Sequence, residues 1–339
     1  MADWDLAEPE QRLWDAFPRG EWVDLRSGDL ERTVRAEVVT ALLLGAAGHE
    51  PGRRPAVRLR GAVVTGRLDL MGSTALWPLV CEHCRFENPL RFVEATTGTV
   101  RLVDCDVPSM NAARMNARGI VNLHRSRIGG GLRFDRATIT GDIVLIGAEV
   151  GVDAEGVSLA AEGLMVNGNL ECREGFRAAG SVLLRGARID GTLDVRDAEI
   201  GGRQGRDQVA MSLSRAAANT GIVAIRLTAH GEVAMRNARV VGSVQLSGAK
   251  LSNQPQPYEQ LASHYTRIGQ PAEARRVLFA KERLQRRTNT RLPKVWSLLQ
   301  DATVAYGYQP WRPLIWLGLL VALGAAVFAA AVARVLARR

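Results

Sequence analysis

The residues of this sequence best suited to chemistry are the two cysteines of Cys81-Glu82-His83-Cys84. A Cys-x-x-Cys pair can act as a redox dithiol or supply two of the four ligands of a zinc site. Cys105 follows Cys84 by 21 residues, and His83 could supply a fourth ligand. A redox pair should open a helix whose positive end lowers a thiol pKa, but this segment alternates like a strand. The sequence therefore favours small buried residues in a turn, with zinc and redox chemistry as alternatives.

Other signs of catalysis are weak. Asp104 and Asp106 would share one strand face if that segment is extended, as in acidic clusters that cleave polysaccharides, although outward carboxylates more often serve solvation. The five histidines are scattered, and we find no dinucleotide fingerprint and no nucleophile elbow. We interpret Gly129-Gly130-Gly131 as a corner of the repeat described next. We expect no catalytic residue and no cofactor.

An eleven-residue phrase recurs through the centre of the chain. Residues 130–140 are followed directly by a second copy, residues 141–150. Within each phrase apolar and polar residues alternate with the two-residue period of a half-buried strand. A short fixed period is typical of stacked repeats. The equivalent apolar positions are Leu132, Phe134, Ala137 and Ile139 against Ile143, Leu145, Ala148 and Val150, and the pattern returns at 182–200 and 233–251.

The repeat predicts a mainly β fold, a right-handed parallel β-solenoid of 11-residue modules. Two phrases make roughly one coil, and residues 57–251 would give about nine coils, because each strand layer adds about 4.8 Å. Each phrase would contain two short strands with a corner between them and a second corner at glycine, which tolerates positive φ and close backbone approach. A β-sandwich is the alternative, but it would need hairpin turns between longer strands.

Three segments fit the period poorly: residues 80–111, 170–182 and 201–219. We expect loops or bulged corners there. Functional residues lie most often on loops of a regular scaffold, so these are the places to search for a site.

Helical segments flank the predicted solenoid. Residues 1–50 should form a helical cap, with a short helix at about 8–17 and a longer one that begins at Asp29 and ends near Leu44. A partner-binding helix is the alternative. The solenoid domain spans 51–252, and residues 253–312 should form a helical hairpin and connector, with helices at 258–268 and 271–287.

The last segment, 313–339, reads as a transmembrane helix with a basic tail. Residues 314–333 contain no charge, and twenty helical residues span the hydrocarbon of a bilayer. A buried core helix is the alternative. Small residues at spacings of three and four within this helix permit homo-oligomers. The predicted membrane-interface residues are Trp311, Arg312, Trp316, Arg334 and Arg338.

Charge is distributed unevenly along the chain. The formal net charge is +9, and the excess of basic residues lies after residue 250, beside the apolar segment. This distribution favours an anionic membrane surface over nucleic acid as a partner. The acidic N-terminus lacks a secretory leader, so we expect a single-pass protein of the cell membrane with most of the chain in the cytoplasm.

Three blocks resemble a family of actinobacterial membrane proteins often labelled "membrane-associated oxidoreductase". They are Gln11–Gly20 with Glu31–Val38, the Gly-x-Leu-x-Leu-x-x-Ala-x-Ile repeat, and Pro257–Ala262 continuing through Gln300–Arg312. The resemblance covers nearly the whole chain and implies membrane attachment and redox activity, although it supplies no catalytic residue. Similar proteins usually continue with further apolar helices, whereas this sequence ends at Arg339.

From these features we expect a membrane-tethered scaffold that binds an unknown protein partner and lipid. Its lipid contact would be residues 314–333. The alternative is a membrane-associated oxidoreductase or metal-binding protein that uses the region of Cys81 and Cys84.

Overall fold

The computed structural model describes residues 5–26, 32–48, 52–202 and 209–251, with six further positions (262, 266, 271, 274, 275 and 278). The chain divides into two compact units, 1–254 and 255–339. The six positions in the second unit are helical and fall within the predicted helices 258–268 and 271–287. No helix in these described ranges is long and apolar enough to cross a membrane. The predicted span 314–333 lies outside them.

The first unit is mainly β, with parallel strands in four sheets that we name A to D. The chain passes through A, B, C and D in turn and then returns to A, so one circuit is one coil. Neighbouring coils pair in register: Val100 in sheet A lies between Leu79 and Val121. These stacked parallel sheets are consistent with a β-solenoid, which confirms the coarse prediction.

The strand bounds are as follows. Sheet A contains Val23–Asp24, Val57–Arg60, Leu79–Glu82, Val100–Val103, Val121–Asn122, Ile143–Val144, Leu170–Glu171, Thr192–Asp194, Gly221–Val223 and Ser243–Gln245. Sheet B contains Thr33–Arg35, Val63–Thr65, Arg85–Phe86, Asp106–Val107, Arg127–Ile128, Glu149–Val150, Arg177–Ala178, Glu199–Ile200 and Thr228–Ala229. Sheet C contains Leu90–Arg91, Met110–Asn111, Leu132–Arg133, Val157–Ala160, Ser181–Leu183, Val209–Ser212 and Glu232–Ala234. Sheet D contains Thr74–Ala75, Thr96–Thr97, Asn116–Ala117, Thr138–Ile139, Met165–Val166, Arg188–Ile189, Ala217–Ala218 and Arg239–Val240.

Stacking stabilises these very short strands. Because apolar and polar residues alternate, one of two successive side chains in each strand points into the core. The core includes Phe92, Leu102, Phe134 and Leu145, all fully buried. Burying one such side chain contributes about 1.5–3 kcal/mol. A two-residue strand gains little alone, so the fold depends on each coil covering the apolar edge of its neighbours.

Residues 80–111 were expected to be irregular, and this prediction is wrong. Leu79, Val100 and Val121 are register partners, so these coils advance by 21 residues instead of 22 and remain regular. The two other misfits are real. Glu174 and Gly175 both have positive φ, which places an extra residue in one corner. The connection from Ile200 to Val209 is long, and its residues 203–208 lie outside the described part of the chain.

The two corners of each phrase differ from the predicted scheme. The left-handed residue lies in the middle of the phrase and is often charged: Asp104, Arg125 and Arg136 have φ of 52°, 51° and 55°. The glycine corner instead requires close approach, because a Cβ on Gly151 would lie 1.9 Å from the Gly129 carbonyl oxygen. Glycine therefore permits stacking there and does not supply a left-handed turn.

Two α-helices lie before the first complete coil, α1 (Glu8–Ala16) and α2 (Ala36–Leu43), and a 3-10 helix, Phe17–Arg19, follows α1. The first agrees with the prediction. The second begins at Ala36 and not at Asp29, because Thr33–Arg35 is a strand that pairs with Val63–Thr65. Asp29 itself lies outside the described residues.

An ion pair between a buried carboxylate and a half-exposed arginine fixes this end of the unit. The Glu10 carboxylate is 2% exposed and lies 2.6 Å from the Arg35 guanidinium. Burial alone would raise the pKa of Glu10, but hydrogen bonds from the Arg35 side chain and backbone outweigh it and lower that pKa. The pair joins α1 to the strand at the edge of sheet B.

Candidate functional site

The structure brings together the three candidate cysteines. Cys84 and Cys105 occupy equivalent positions in adjacent coils, and the Asp106 amide donates to the Cys84 carbonyl at 2.9 Å. The Cys105 Sγ lies 3.5 Å from the Cys81 carbonyl oxygen. All three side chains are at most 2% exposed. We call these residues the thiol cluster.

The thiol cluster is held by hydrogen bonds inside the core. The hydrogen bond with Cys84, together with burial, raises the pKa of Cys81, and the same two causes raise the pKa of Cys105. Hydrogen bonds from Cys105 and Cys81 act in the other direction on Cys84 and lower its pKa. However, the Cys84 Sγ lies 3.3 Å from the Glu82 carbonyl oxygen and 3.7 Å from the Leu59 carbonyl oxygen. A thiol can donate to these oxygens, whereas they would repel a buried thiolate. We therefore describe the cluster as three neutral thiols.

His83 does not join the thiol cluster. It occupies the left-handed corner between sheets A and B, with φ of 52°, and its side chain is exposed. Within the described ranges, no group of three or more His, Cys, Asp or Glu is arranged to hold a metal ion. The geometry thus gives a four-ligand site of Cys81, His83, Cys84 and Cys105 no support.

Asp104 and Asp106 do not share a strand face, so that prediction is wrong. Asp104 is the left-handed corner residue, and its carboxylate lies 2.6 Å from the Arg125 guanidinium in the next coil. That hydrogen bond lowers the pKa of Asp104. Asp106 lies beyond the corner, in sheet B. The two carboxylates therefore do not form an acidic pair.

The feature that sequence reasoning missed is a row of alternating charges on the outer face of sheet B. Register pairs place these residues one above another, from coil to coil. Stacked strands are about 4.8 Å apart, so six charges extend over about 24 Å. We call this row the sheet B ladder; it consists of Arg85, Asp106, Arg127, Glu149, Arg177 and Glu199.

Charges in the ladder are exposed and only loosely paired. The Arg127 Nε lies 3.3 Å from a Glu149 carboxylate oxygen, with side chains 71% and 50% exposed. Arg177 and Glu199 are 3.6 Å apart in the same way. Exposed pairs contribute about 0–1 kcal/mol. The ladder is therefore poorly explained as a stabilising device, and its charges remain available to a partner.

Shallow concavities lie beside the ladder. One of about 550 Å³ runs from Arg127 to His230, and a second of about 530 Å³ runs from Arg85 to Gly129. Gly129, Gly151 and Ala179 line the first concavity and Gly129 also lines the second, so residues with little or no side chain lie beside the long charged side chains of the ladder. A row of long side chains beside small residues is a surface that an elongated partner can follow.

A longer loop lies at the edge between sheets B and C. It comprises residues 151–156, where the corresponding connection one coil earlier has only three residues, 129–131. The Asp153 carboxylate accepts hydrogen bonds from the Glu155 and Val157 amides, both at 2.9 Å. A smaller concavity of about 360 Å³ lies at the same edge, lined in part by Pro108, Gly130 and Asp153.

No family model, curated protein or solved structure matches this chain. The five predicted membrane-interface residues, Trp311, Arg312, Trp316, Arg334 and Arg338, lie outside the described residues.

The sequence contains a signal for the ladder, at the period of a coil. Arg127 and Glu149 are 22 residues apart, while Arg85, Asp106 and Arg127 are 21 apart. The phrase of eleven residues hides this signal, because successive phrases alternate between different faces. Charges share a face when they are one whole coil apart, which is two phrases and not one.

Proposed function

We propose that this protein is a membrane-tethered scaffold whose sheet B face binds a protein partner. The observation that carries the proposal is the exposed, alternating ladder beside small residues. A rigid stack of coils keeps these charges at fixed spacing, so a partner can be selected by charge and register. Such binding needs no catalytic group.

The remaining parts of the proposal come from the sequence. We infer a right-handed solenoid, since parallel crossovers are almost always right-handed. The uncharged residues 314–333 would form the single transmembrane helix, and basic residues before it would keep the bulk of the chain in the cytoplasm. The resemblance to actinobacterial membrane proteins supports the attachment.

Photo-crosslinking in native membranes tests the binding surface. A photoreactive residue is placed at Arg127 on sheet B, and a matched control at Arg188, an exposed position on sheet D. We expect a protein adduct at Arg127 that disappears when Glu149 is changed to Arg, and no such adduct at Arg188. Equal adducts at both positions would contradict the proposal.

An alkaline wash of membranes tests the tether. We expect the full chain to remain in the membrane pellet, because a transmembrane helix resists extraction. Release into the supernatant would contradict the membrane anchor. It would not affect the proposed binding surface on sheet B, which the crosslinks test separately.

The alternative is an oxidoreductase or metal-binding protein that uses the thiol cluster. The specific observation in its favour is the contact among three thiols. Metal and flavin analysis of the purified chain, with Cys81→Ser and Cys84→Ser as controls, separates the two functions. Stoichiometric zinc or flavin that is lost in both variants would replace the scaffold with this alternative.

A further inference from the structure

We propose that the partner of the sheet B ladder is a second copy of this chain, bound in antiparallel orientation. This inference rests on the proposed role of sheet B as a binding surface and names its occupant. Three features of the molecule support it: the order of the charges, their spacing, and the shape of the edge between sheets B and C.

The order of charges is self-complementary. From the first to the last rung, the ladder alternates positive and negative over six positions. A twofold axis midway between Arg127 and Glu149, parallel to the strands, reverses the order in the second copy. Each arginine then faces an acidic residue: Arg85 faces Glu199, Arg177 faces Asp106 and Arg127 faces Glu149. Two parallel copies would instead place like charges together, so the ladder selects the antiparallel pair.

The spacing of the charges also fits a second copy. Rungs of the ladder repeat at the strand separation, about 4.8 Å. In an extended peptide, side chains on one face repeat at about 6.6–6.8 Å, and a helix rises 5.4 Å per turn. Either partner would lose register with the ladder within a few rungs. A second solenoid has the same spacing and keeps register over all six.

The edge between sheets B and C fits the same arrangement. The reversal places the long loop 151–156 of one copy over the equivalent short connection 129–131 of the other. The three-residue connection contains Gly130, which has no side chain to fill the concavity of about 360 Å³ that it lines with Pro108 and Asp153. The concavity that contains Gly130 can therefore receive the loop. The loop would block a copy shifted so that two loops coincide.

The pairing surface is small, which sets the expected affinity. A face of about 24 Å by about 12 Å is below the roughly 800 Å² per partner of standard stable complexes. The ladder should therefore give a reversible dimer that weakens as salt screens the charges.

Reciprocal charge swaps test the pairing. The full chain is purified in mild detergent, and its mass is measured by sedimentation velocity over a range of concentrations. We expect a monomer–dimer equilibrium in the wild type, and at least a tenfold increase in its dissociation constant in R127E and in E149R. Each variant places like charges opposite one another twice in every dimer.

Complementation makes the test specific. An equimolar mixture of R127E and E149R should recover the dimer, because the acidic residue introduced in one copy then faces the basic residue introduced in the other, and the two unchanged rungs face as before. The double variant R127E/E149R should dimerise like the wild type. Arg188→Glu on sheet D, the matched control, should have no effect. Thermal unfolding of each single variant shows whether it remains folded.

Three results would overturn the inference. They are a wild type that stays monomeric at all concentrations, association unaffected by both single swaps, and failure of both the mixture and the double variant to dimerise. Each is distinguishable from failure of the scaffold proposal, since crosslinks from Arg127 to a different protein would support that proposal while contradicting self-association.

Discussion

The thiol cluster and the sheet B ladder lie in adjoining parts of the same coils but differ in every property relevant to function. The cluster consists of cysteines, which often serve as catalytic or metal-binding residues. Its side chains, however, are at most 2% exposed and donate hydrogen bonds to backbone carbonyls. The ladder has ordinary surface residues, but its arginines and carboxylates are exposed and set at fixed intervals. Exposure and repetition, not residue type, distinguish the binding surface here.

Thiol labelling should separate these two regions most strongly. All four cysteines of the chain are buried, so a reagent such as iodoacetamide reaches them only after local opening. If opening costs about 4 kcal/mol, labelling should be about a thousandfold slower than in denaturant. Mass spectrometry counts the labels with time. Rapid native labelling of Cys84 alone would show an accessible reactive thiol and favour the redox alternative.

The sequence predicted the architecture because burial repeats in it. Leu132 and Ile143 occupy inward positions that only apolar residues fill, so the two-residue alternation and the eleven-residue period both remain visible. The prediction failed at residues 80–111, because a coil shorter by one residue preserves the register but breaks the count. It also failed for the start of α2, because the strand Thr33–Arg35 directly precedes this helix and extends sheet B.

The candidate sites were harder to predict, for a related reason. The proximity of Cys84 and Cys105 was anticipated from their spacing of 21 residues. The exposure of His83 was not, because a left-handed corner turns its side chain away from the thiols that flank it in the sequence. The ladder was missed because any one of its charges resembles a solvated surface residue. Its meaning depends on which residues stack.

Glycine substitutions should next distinguish close stacking from free space at the edge of the ladder. In Gly151→Ala the new Cβ would lie 1.9 Å from the Gly129 carbonyl oxygen, so backbone must shift. We expect a loss of about 3 kcal/mol in the free energy of unfolding, at the upper end for overpacking. The matched control is Gly129→Ala, whose Cβ would lie 3.5 Å from the Pro108 oxygen. Equal effects in denaturant titrations would contradict the stacking.

Serine substitutions should show that positions within the thiol cluster are not equivalent. The residue stacked on Cys105 is Ser126, whose hydroxyl accepts from the Cys105 amide at 2.9 Å and donates to the Leu102 carbonyl at 2.8 Å. Cys105→Ser repeats this tolerated chemistry and should cost less than about 1 kcal/mol. Cys81 instead stacks between Leu59 and Leu102, so Cys81→Ser should cost about 1–3 kcal/mol, the range for a poorly compensated buried hydroxyl.

Chemical denaturation of the two serine variants measures this difference. Bound zinc or a functional dithiol would instead predict similar losses, because Cys105→Ser, Cys81→Ser and a third variant, Cys84→Ser, would each remove a ligand or a reacting sulfur. Equal losses in all three variants would therefore favour the metal or redox alternative over a packed core.

The smallest expected effect concerns Asp104, the corner residue between the two regions. Arg125 lowers the pKa of Asp104 in the folded chain, so this carboxylate contributes stability above its unfolded pKa and loses it as pH falls through the lower folded value. Asparagine tolerates the left-handed backbone conformation as aspartate does, so Asp104→Asn removes the charge without straining the corner. We expect a loss of under about 1 kcal/mol at pH 7, since the Arg125 side chain is 60% exposed.

That loss should vanish on acidification, because the protonated Asp104 no longer attracts Arg125. Denaturant titrations of both proteins from neutral pH to below about pH 4 measure the difference, and their stabilities should converge at the acidic end. A difference that stays constant with pH would mean that Asp104 does not stabilise the fold through its charge. At neutral pH the thiols of Asp104→Asn should be labelled as slowly as those of the wild type, since the ion pair lies outside the core that protects them.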